Sequence, residues 1–227
     1  MIWKTDYTGR FPRRPHWELD ELERRCEEIV VPFLKARYGQ APVRVPTDAL
    51  TVLIEREAQE LDLHTDLIAD NDSEEIHGVT WFVPGAKPKV QINRKLRREF
   101  RRANRYRTTL AHECGHLLLH VWLYDRFQRE LKTREPLRCY SRTVQVSIER
   151  LTDWMEWQAG CMCGALLMPK WRVDLLAAAF RKGRGVSVPL KVDSIDAQVL
   201  TKRLTDLFDV SLDAARVRLL KLGHLAD

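Results

Sequence analysis

The chain has 227 residues, 44% of them hydrophobic, with a net charge of +6 at pH 7 and five cysteines. That length supports a real core, as one large domain or one domain with an appendage, and the charges scattered through the N-terminal stretch leave no signal-peptide pattern, just as no apolar run is long enough to span a membrane. Cys26, Cys114, Cys139, Cys161 and Cys163 are odd in number and lack CxxC spacing, so a disulfide framework is excluded and a reducing cytoplasm is the expected location.

Residues 17–38 carry apolar side chains at Leu19, Leu22, Cys26, Val30 and Leu34, the spacing of an amphipathic helix, which Pro32 should kink or divide. A second helix is expected over TDALTVLIEREAQELDL, with Thr47 as N-cap. Alternation on both sides of PGAKP predicts a hairpin of Gly78–Val83 and Lys89–Ile92. Helical spacing returns from about Arg102 to Tyr124 and from about Ser147 to Leu167, where Met168-Pro169 ends it. The C-terminal stretch predicts a helix from Ser194 to Phe208, a break at DVS, and a short helix after Ser211 that stops before Gly223.

The helix around residue 113 contains His112-Glu113-Cys114-Gly115-His116, an HExxH motif. Four residues of α-helix turn through about 400° and rise about 6 Å, so the two imidazoles share a face and can hold one ion. Zinc suits imidazole ligands. Glu113 points about 100° away from His112, too far round to ligate easily but within reach of a water at the ion, the place of a general base for amide hydrolysis. His120 continues the stripe too far along the helix to share the ion, and is expected to line the pocket or end the helix. A catalytic zinc wants a third protein ligand and an open position. Leu119 and Trp122 stand where the metzincin pattern needs Gly and His, which excludes that class. A later carboxylate is the alternative, and spacing leaves Glu149, Asp153 and Glu156 all open.

TTLAHECGHLLLH followed by MEWQAGCMCGALLMP resembles the ImmA/IrrE family of metallopeptidases, whose typical run is TLAHELGH, then ExxAN, then FAxxLLMP. KVQIN is similar to the family's strand before the active helix, and LFDVSLDAARVRLLKLG to its C-terminal segment, so the resemblance spans roughly residues 46–223. It implies Glu156 as the third ligand beside His112 and His116, Glu113 as catalytic base, one Zn2+ per chain, and a cytoplasmic regulatory protease. The substrate it implies is a repressor-type protein, often a helix-turn-helix regulator. Gly160 stands where the family has Asn or Asp, which removes a hydrogen bond that would orient a ligating histidine and leaves Asp153 as a substitute partner. Cys161 and Cys163 are also unusual there, and packing is the role expected of them.

INRKLRREFRRANRYR is dense in Lys and Arg, a candidate surface for phosphates or an acidic protein. Arg216, Arg218 and Lys221 on the last helix suit DNA, but Leu200, Leu204, Leu207, Phe208, Val217 and Leu220 are the apolar positions any docked helix pair needs, and packing is favoured. Trp154, Trp157 and Trp171 are candidates for a substrate groove or the core, and Tyr106, Tyr124 and Tyr140 for oxyanion donors. The expected fold is α+β and zincin-like: a small antiparallel sheet packed on the helices that carry HExxH and the later Glu, with a C-terminal helical hairpin. The expected organisation is an N-terminal extension over 1–45, a metallopeptidase domain over 46–175 and a C-terminal helical segment over 176–227. The sheet edge at Lys89–Asn93 is expected to receive a peptide as an added strand. The competing reading is a non-catalytic zinc-binding regulatory module that binds DNA or a repressor through the basic segment and the C-terminal helices; no membrane partner is expected.

Overall fold

A computed structural model describes residues 1–68, 75–83, 85–127, 130, 137–142, 153–187 and 189–226. Glu149 and the expected start of its helix lie outside them. The chain divides into two compact units, Met1–Arg24 with Thr47–Cys163, and Arg25–Pro46 with Gly164–Asp227.

The first unit holds the sheet and the HExxH helix. A hairpin of β1 (Ile2–Thr5) and β2 (Arg13–His16) opens the chain. Helix α1 (Leu19–Tyr38) follows; it begins in this unit, belongs to the second unit from Arg25 on, and runs through Pro32 undivided. Helix α2 (Thr47–Glu57) buries Ala49, Leu50, Leu53 and Ile54, and the Thr47 hydroxyl accepts from Arg107 Nη1 at 2.9 Å. Residues 60–62, read from the sequence as the end of α2, form strand β3 (Glu60–Asp62). Strands β4 (Ile76–Phe82) and β5 (Lys89–Ile92) are the expected hairpin, β6 (Leu137–Arg142) joins β4, and the sheet order is β3-β5-β4-β6.

The sheet is not the purely antiparallel one that the sequence pattern suggested, and its edge lies elsewhere. The sheet is mixed, because β3 pairs parallel with β5 while β4 runs antiparallel to both β5 and β6. Strand β5 is consequently interior, flanked by β3 and β4, and Lys89–Asn93 offers no free edge; among the described residues the end strands are β3 and β6. A three-residue strand shows no usable alternation, so its hydrogen bonding to β5 decides its state.

Asn93 ends the sheet and starts α3 (Arg94–Arg98), accepting from Lys95 N while its amide donates to Ile76 O at 2.8 Å. A single 3₁₀ turn leads into α4 (Ala103–Phe127), the HExxH helix. Successive side chains of a strand alternate between faces, and the even-numbered residues of β4 face α4. Gly78 lies against Thr109 and Glu113, Thr80 bonds to Glu113, and Phe82 stacks on Tyr124 at 4.5 Å and meets the His116 ring at 6.5 Å. Helix α5 (Trp154–Leu167) carries Glu156.

In the second unit, α6 (Lys170–Arg184) was not foreseen from the sequence. Helices α7 (Ile195–Phe208) and α8 (Leu212–Lys221) are the expected C-terminal pair, capped by Ser194 and Ser211, whose side chains accept from Ala197 N and Ala214 N at 3.2 Å. Leu200, Leu204, Phe208, Ala215 and Leu219 are buried, whereas Leu207 and Val217, expected in the packing, are exposed. Among the described residues, that makes eight α-helices, and none is long and apolar enough to cross a membrane.

His77 on β4 is buried, and burial pushes its pKa down to about 4, with Arg105 acting the same way and Glu75 against it. The folded protein therefore binds this proton less readily than the unfolded chain, whose His titrates near 6.5. The stability it contributes is present above about pH 6.5 and lost as pH falls towards 4, with a ceiling of about 3 kcal/mol. Urea titrations from pH 7 to pH 4 should show this loss in the wild type and a shallower slope in His77→Gln; equal slopes would contradict it.

Candidate metal centre

The i, i+4 spacing of His112 and His116 puts both imidazoles on the side of α4 that meets α5. Their Nε2 atoms lie 3.2 Å apart, Glu156 Oε2 is 3.0 Å from His112 Nε2, and Glu156 Oε1 is 3.3 Å from His116 Nε2. Ligands about 2.0–2.1 Å from a tetrahedral ion are themselves about 3.3 Å apart, so this spacing suits one ion. His112, His116 and Glu156 are the group of metal-capable side chains among the described residues, and no cysteine belongs to it. His116 is fully buried, whereas His112 and Glu156 keep some exposure, so the open side of the site is theirs.

Two small residues allow the approach. A Cβ on Gly115 would meet the Ala159 carbonyl oxygen at 2.9 Å and Ala159 Cα at 3.2 Å, so the glycine inside the motif is where α4 and α5 touch backbone to backbone. A Cβ on Gly78 would meet Thr109 Cγ2 at 2.7 Å and Glu113 Oε1 at 2.8 Å, so β4 also comes within reach of α4 only as glycine.

Glu113 is fully buried, and Oε2 accepts from the Thr80 hydroxyl at 2.6 Å, a short charge-assisted bond. Oε1 has no hydrogen-bond partner among the described residues. Burial pushes the Glu113 carboxyl up, with His116 and His112 drawing it back. Glu156 behaves oppositely: burial opposes its charge, yet the His116 and His112 imidazoles hold it well below the usual carboxylate range. One carboxylate is thus committed to the imidazoles and the other keeps an unpartnered oxygen, a division of labour that suits a ligand and a base.

Of the three carboxylates that spacing left open, the structure brings Glu156 to the histidines. Asp153 goes elsewhere: it takes both Arg10 guanidinium nitrogens at 2.8 and 2.7 Å and accepts from Met155 N at 3.0 Å, so it cannot be the substitute partner expected for a ligating histidine. His120 is corrected as well. It is neither pocket wall nor helix end but fully buried, with Nδ1 3.2 Å from His116 Nδ1 and Nε2 3.2 Å from Gln158 Oε1. Sequence reasoning missed Gln158 altogether; its signal was a polar residue inside the apolar run of α5, two positions after the ligand. A Cβ at Gly160 would meet nothing within 4 Å. Cys161 and Cys163 are buried, with Cys163 Sγ 3.5 Å from the Thr108 carbonyl. Trp154 and Tyr124 belong to the core, Trp157 and Trp171 are exposed, and the Tyr140 hydroxyl accepts from Arg138 Nη1 at 3.3 Å.

No model of a known protein family matches the chain, and no curated protein matches it. The structure supports an HExxH-plus-Glu metal site on its own geometry.

Enlarging residue 115 should separate the helices and with them Glu156 from the histidines. Chelator competition should find zinc binding at least ~10-fold weaker in Gly115→Ala and weaker still in Gly115→Val, as expected when a ligand is displaced. Undiminished affinity in both variants would show that the contact does not set the ligand spacing.

Proposed function

We propose that the chain is a zinc-dependent endopeptidase of the ImmA/IrrE kind, a regulatory protease whose substrate is a repressor-type protein. The observation that carries this reading is the His112/His116/Glu156 donor set beside a buried carboxylate, Glu113, with one unpartnered oxygen. His112, His116 and Glu156 would hold the ion, which would supply Lewis acidity for attack by water on a carbonyl. Thr80 holds one oxygen of Glu113, which leaves Oε1 to take the proton from the attacking water and pass it to the leaving amine. Burial raises the proton affinity of Glu113, which favours that exchange.

The substrate strand needs an edge, and β6 supplies it. Thr80 of β4 pairs with Cys139 of β6, and buried Cys139 feels the charges of Glu156 and Glu113, so β6 runs beside the site and is the end strand of the sheet among the described residues. A peptide added there forms backbone hydrogen bonds that carry affinity without fixing sequence, which suits a protease that opens an extended segment of a folded regulator.

One observation favours the reading of a non-catalytic regulatory module. Lys95, Arg97 and Arg98 on α3, Arg101 in the 3₁₀ turn and Arg105 in the first turn of the HExxH helix are exposed, a surface suited to phosphates or an acidic protein. The C-terminal pair lends that reading less, since Arg218 is buried with Nε on the Met168 carbonyl at 2.9 Å and Arg216 lies 3.8 Å from Asp193.

The test is cleavage of helix-turn-helix repressors by the wild type, Glu113→Gln and Glu156→Ala, with metal content measured on each. Glu113→Gln should keep its metal and lose at least ~100-fold in cleavage rate, while Glu156→Ala should lose both. A Glu113→Gln protein that cleaves like the wild type would end the protease reading, and one that regulates without cleavage would establish the module.

A further inference from the structure

The N-terminal hairpin lies outside the span that resembles the peptidase family, yet it meets the metal centre at both ends of its ligand set. Asp6 is buried and accepts from Phe11 N at 3.0 Å and from Trp154 Nε1 at 3.0 Å. Arg10 forks onto Asp153, the residue that opens α5. Phe11 packs edge-on against Tyr124 at 5.1 Å and Trp154 at 6.1 Å, and Trp3 packs against Trp122 at 5.7 Å, so the hairpin shares one buried cluster with α4 and α5. Two positions after Glu156, Gln158 donates from Nε2 to the Pro15 carbonyl at 2.8 Å.

That last bond settles a chain of proton positions. The Pro15 carbonyl only accepts, so the Gln158 amide must present its NH2 to it and its oxygen to His120. The oxygen only accepts, so His120 Nε2 carries the hydrogen. The contact between the two Nδ1 atoms needs one donor and one acceptor, and His120, buried against Trp154 with its hydrogen already given to Gln158, is the acceptor. His116 Nδ1 must then donate to it, so that hydrogen sits on the side of the ring away from the site and Nε2 is the nitrogen turned towards Glu156 and His112. A metal-ligating histidine needs its other nitrogen held in this way, by a carboxylate, a carbonyl or another acceptor.

We propose that the N-terminal hairpin is a structural part of the metal centre. His120 and Gln158 are positioning residues that set the tautomer of His116, and Asp6 and Arg10 are positioning residues for the helix that carries Glu156. This rests on the His112/His116/Glu156 reading for its zinc consequences, but the tautomer exists without the ion. The relay also takes over the orienting bond that Gly160 forgoes.

The experiment is long-range proton–nitrogen NMR of the imidazoles in the metal-free protein, together with zinc affinity by chelator competition. Wild-type His116 should read as the Nδ1-H tautomer. His120→Phe and Gln158→Met should release that tautomer and weaken zinc by roughly 10–100-fold. Gln158→Glu, which keeps the acceptor for His120, should retain the tautomer, and Arg10→Gln should weaken zinc with the tautomer unchanged, because it acts at the Glu156 end. A wild-type His116 with no hydrogen on Nδ1 overturns the proposal even if no variant folds, as do folded His120→Phe and Gln158→Met proteins with zinc affinity within about twofold of wild type. A wild type with the expected tautomer but no zinc binding would instead contradict the metal reading and leave the relay standing.

Discussion

Everything at the site depends on how closely two helices approach. A carboxylate on α5 reaches two imidazoles on α4 only because Gly115 and Ala159 bring the backbones into contact. Close packing transmits any added volume, since an interior at crystal-like density has no slack to absorb a methyl group. The contact is also polar on one side, a backbone carbonyl against a glycine, so a side chain there would clash with an atom that cannot rotate away. On the opposite face of α4, Gly78 brings β4 in by the same device and sets Thr80 onto Glu113. The site is thus gripped from two sides by glycines, and its electrostatics follow from the burial that this grip imposes.

Burial gives the two glutamates different roles. Glu156 gives up solvation but gains two imidazoles, which keep it ionised. Glu113 gives up solvation and gains one hydroxyl, which leaves an oxygen unsatisfied. A buried polar atom without a partner costs about 1–3 kcal/mol, and in the proposed protease reading the Glu113 oxygen that lacks one among the described residues is the atom that takes the proton.

The HExxH face, the hairpin of β4 and β5, and the C-terminal helix pair were legible in the sequence because each is a local periodicity. Glu156 was legible only through resemblance, since helical spacing says nothing about which residue of a second helix will face the first. The edge of the sheet was misread because β3, three residues long, carries no period of its own and takes its state from β5. His120 was misjudged by treating distance from the ion as distance from function, when its partner was the far nitrogen of His116. The N-terminal hairpin read as a charged extension, and its role appears only once Asp6, Arg10 and the Pro15 carbonyl are placed against α5, contacts more than a hundred residues apart in sequence.

The most direct measurement is zinc-edge X-ray absorption on protein purified without chelator. The account predicts about one zinc per chain with two imidazole nitrogens at about 2.0–2.1 Å and carboxylate oxygen at about 2.0–2.2 Å, and no sulfur. Sulfur scattering at about 2.3 Å, or a protein that takes up no metal, would contradict it.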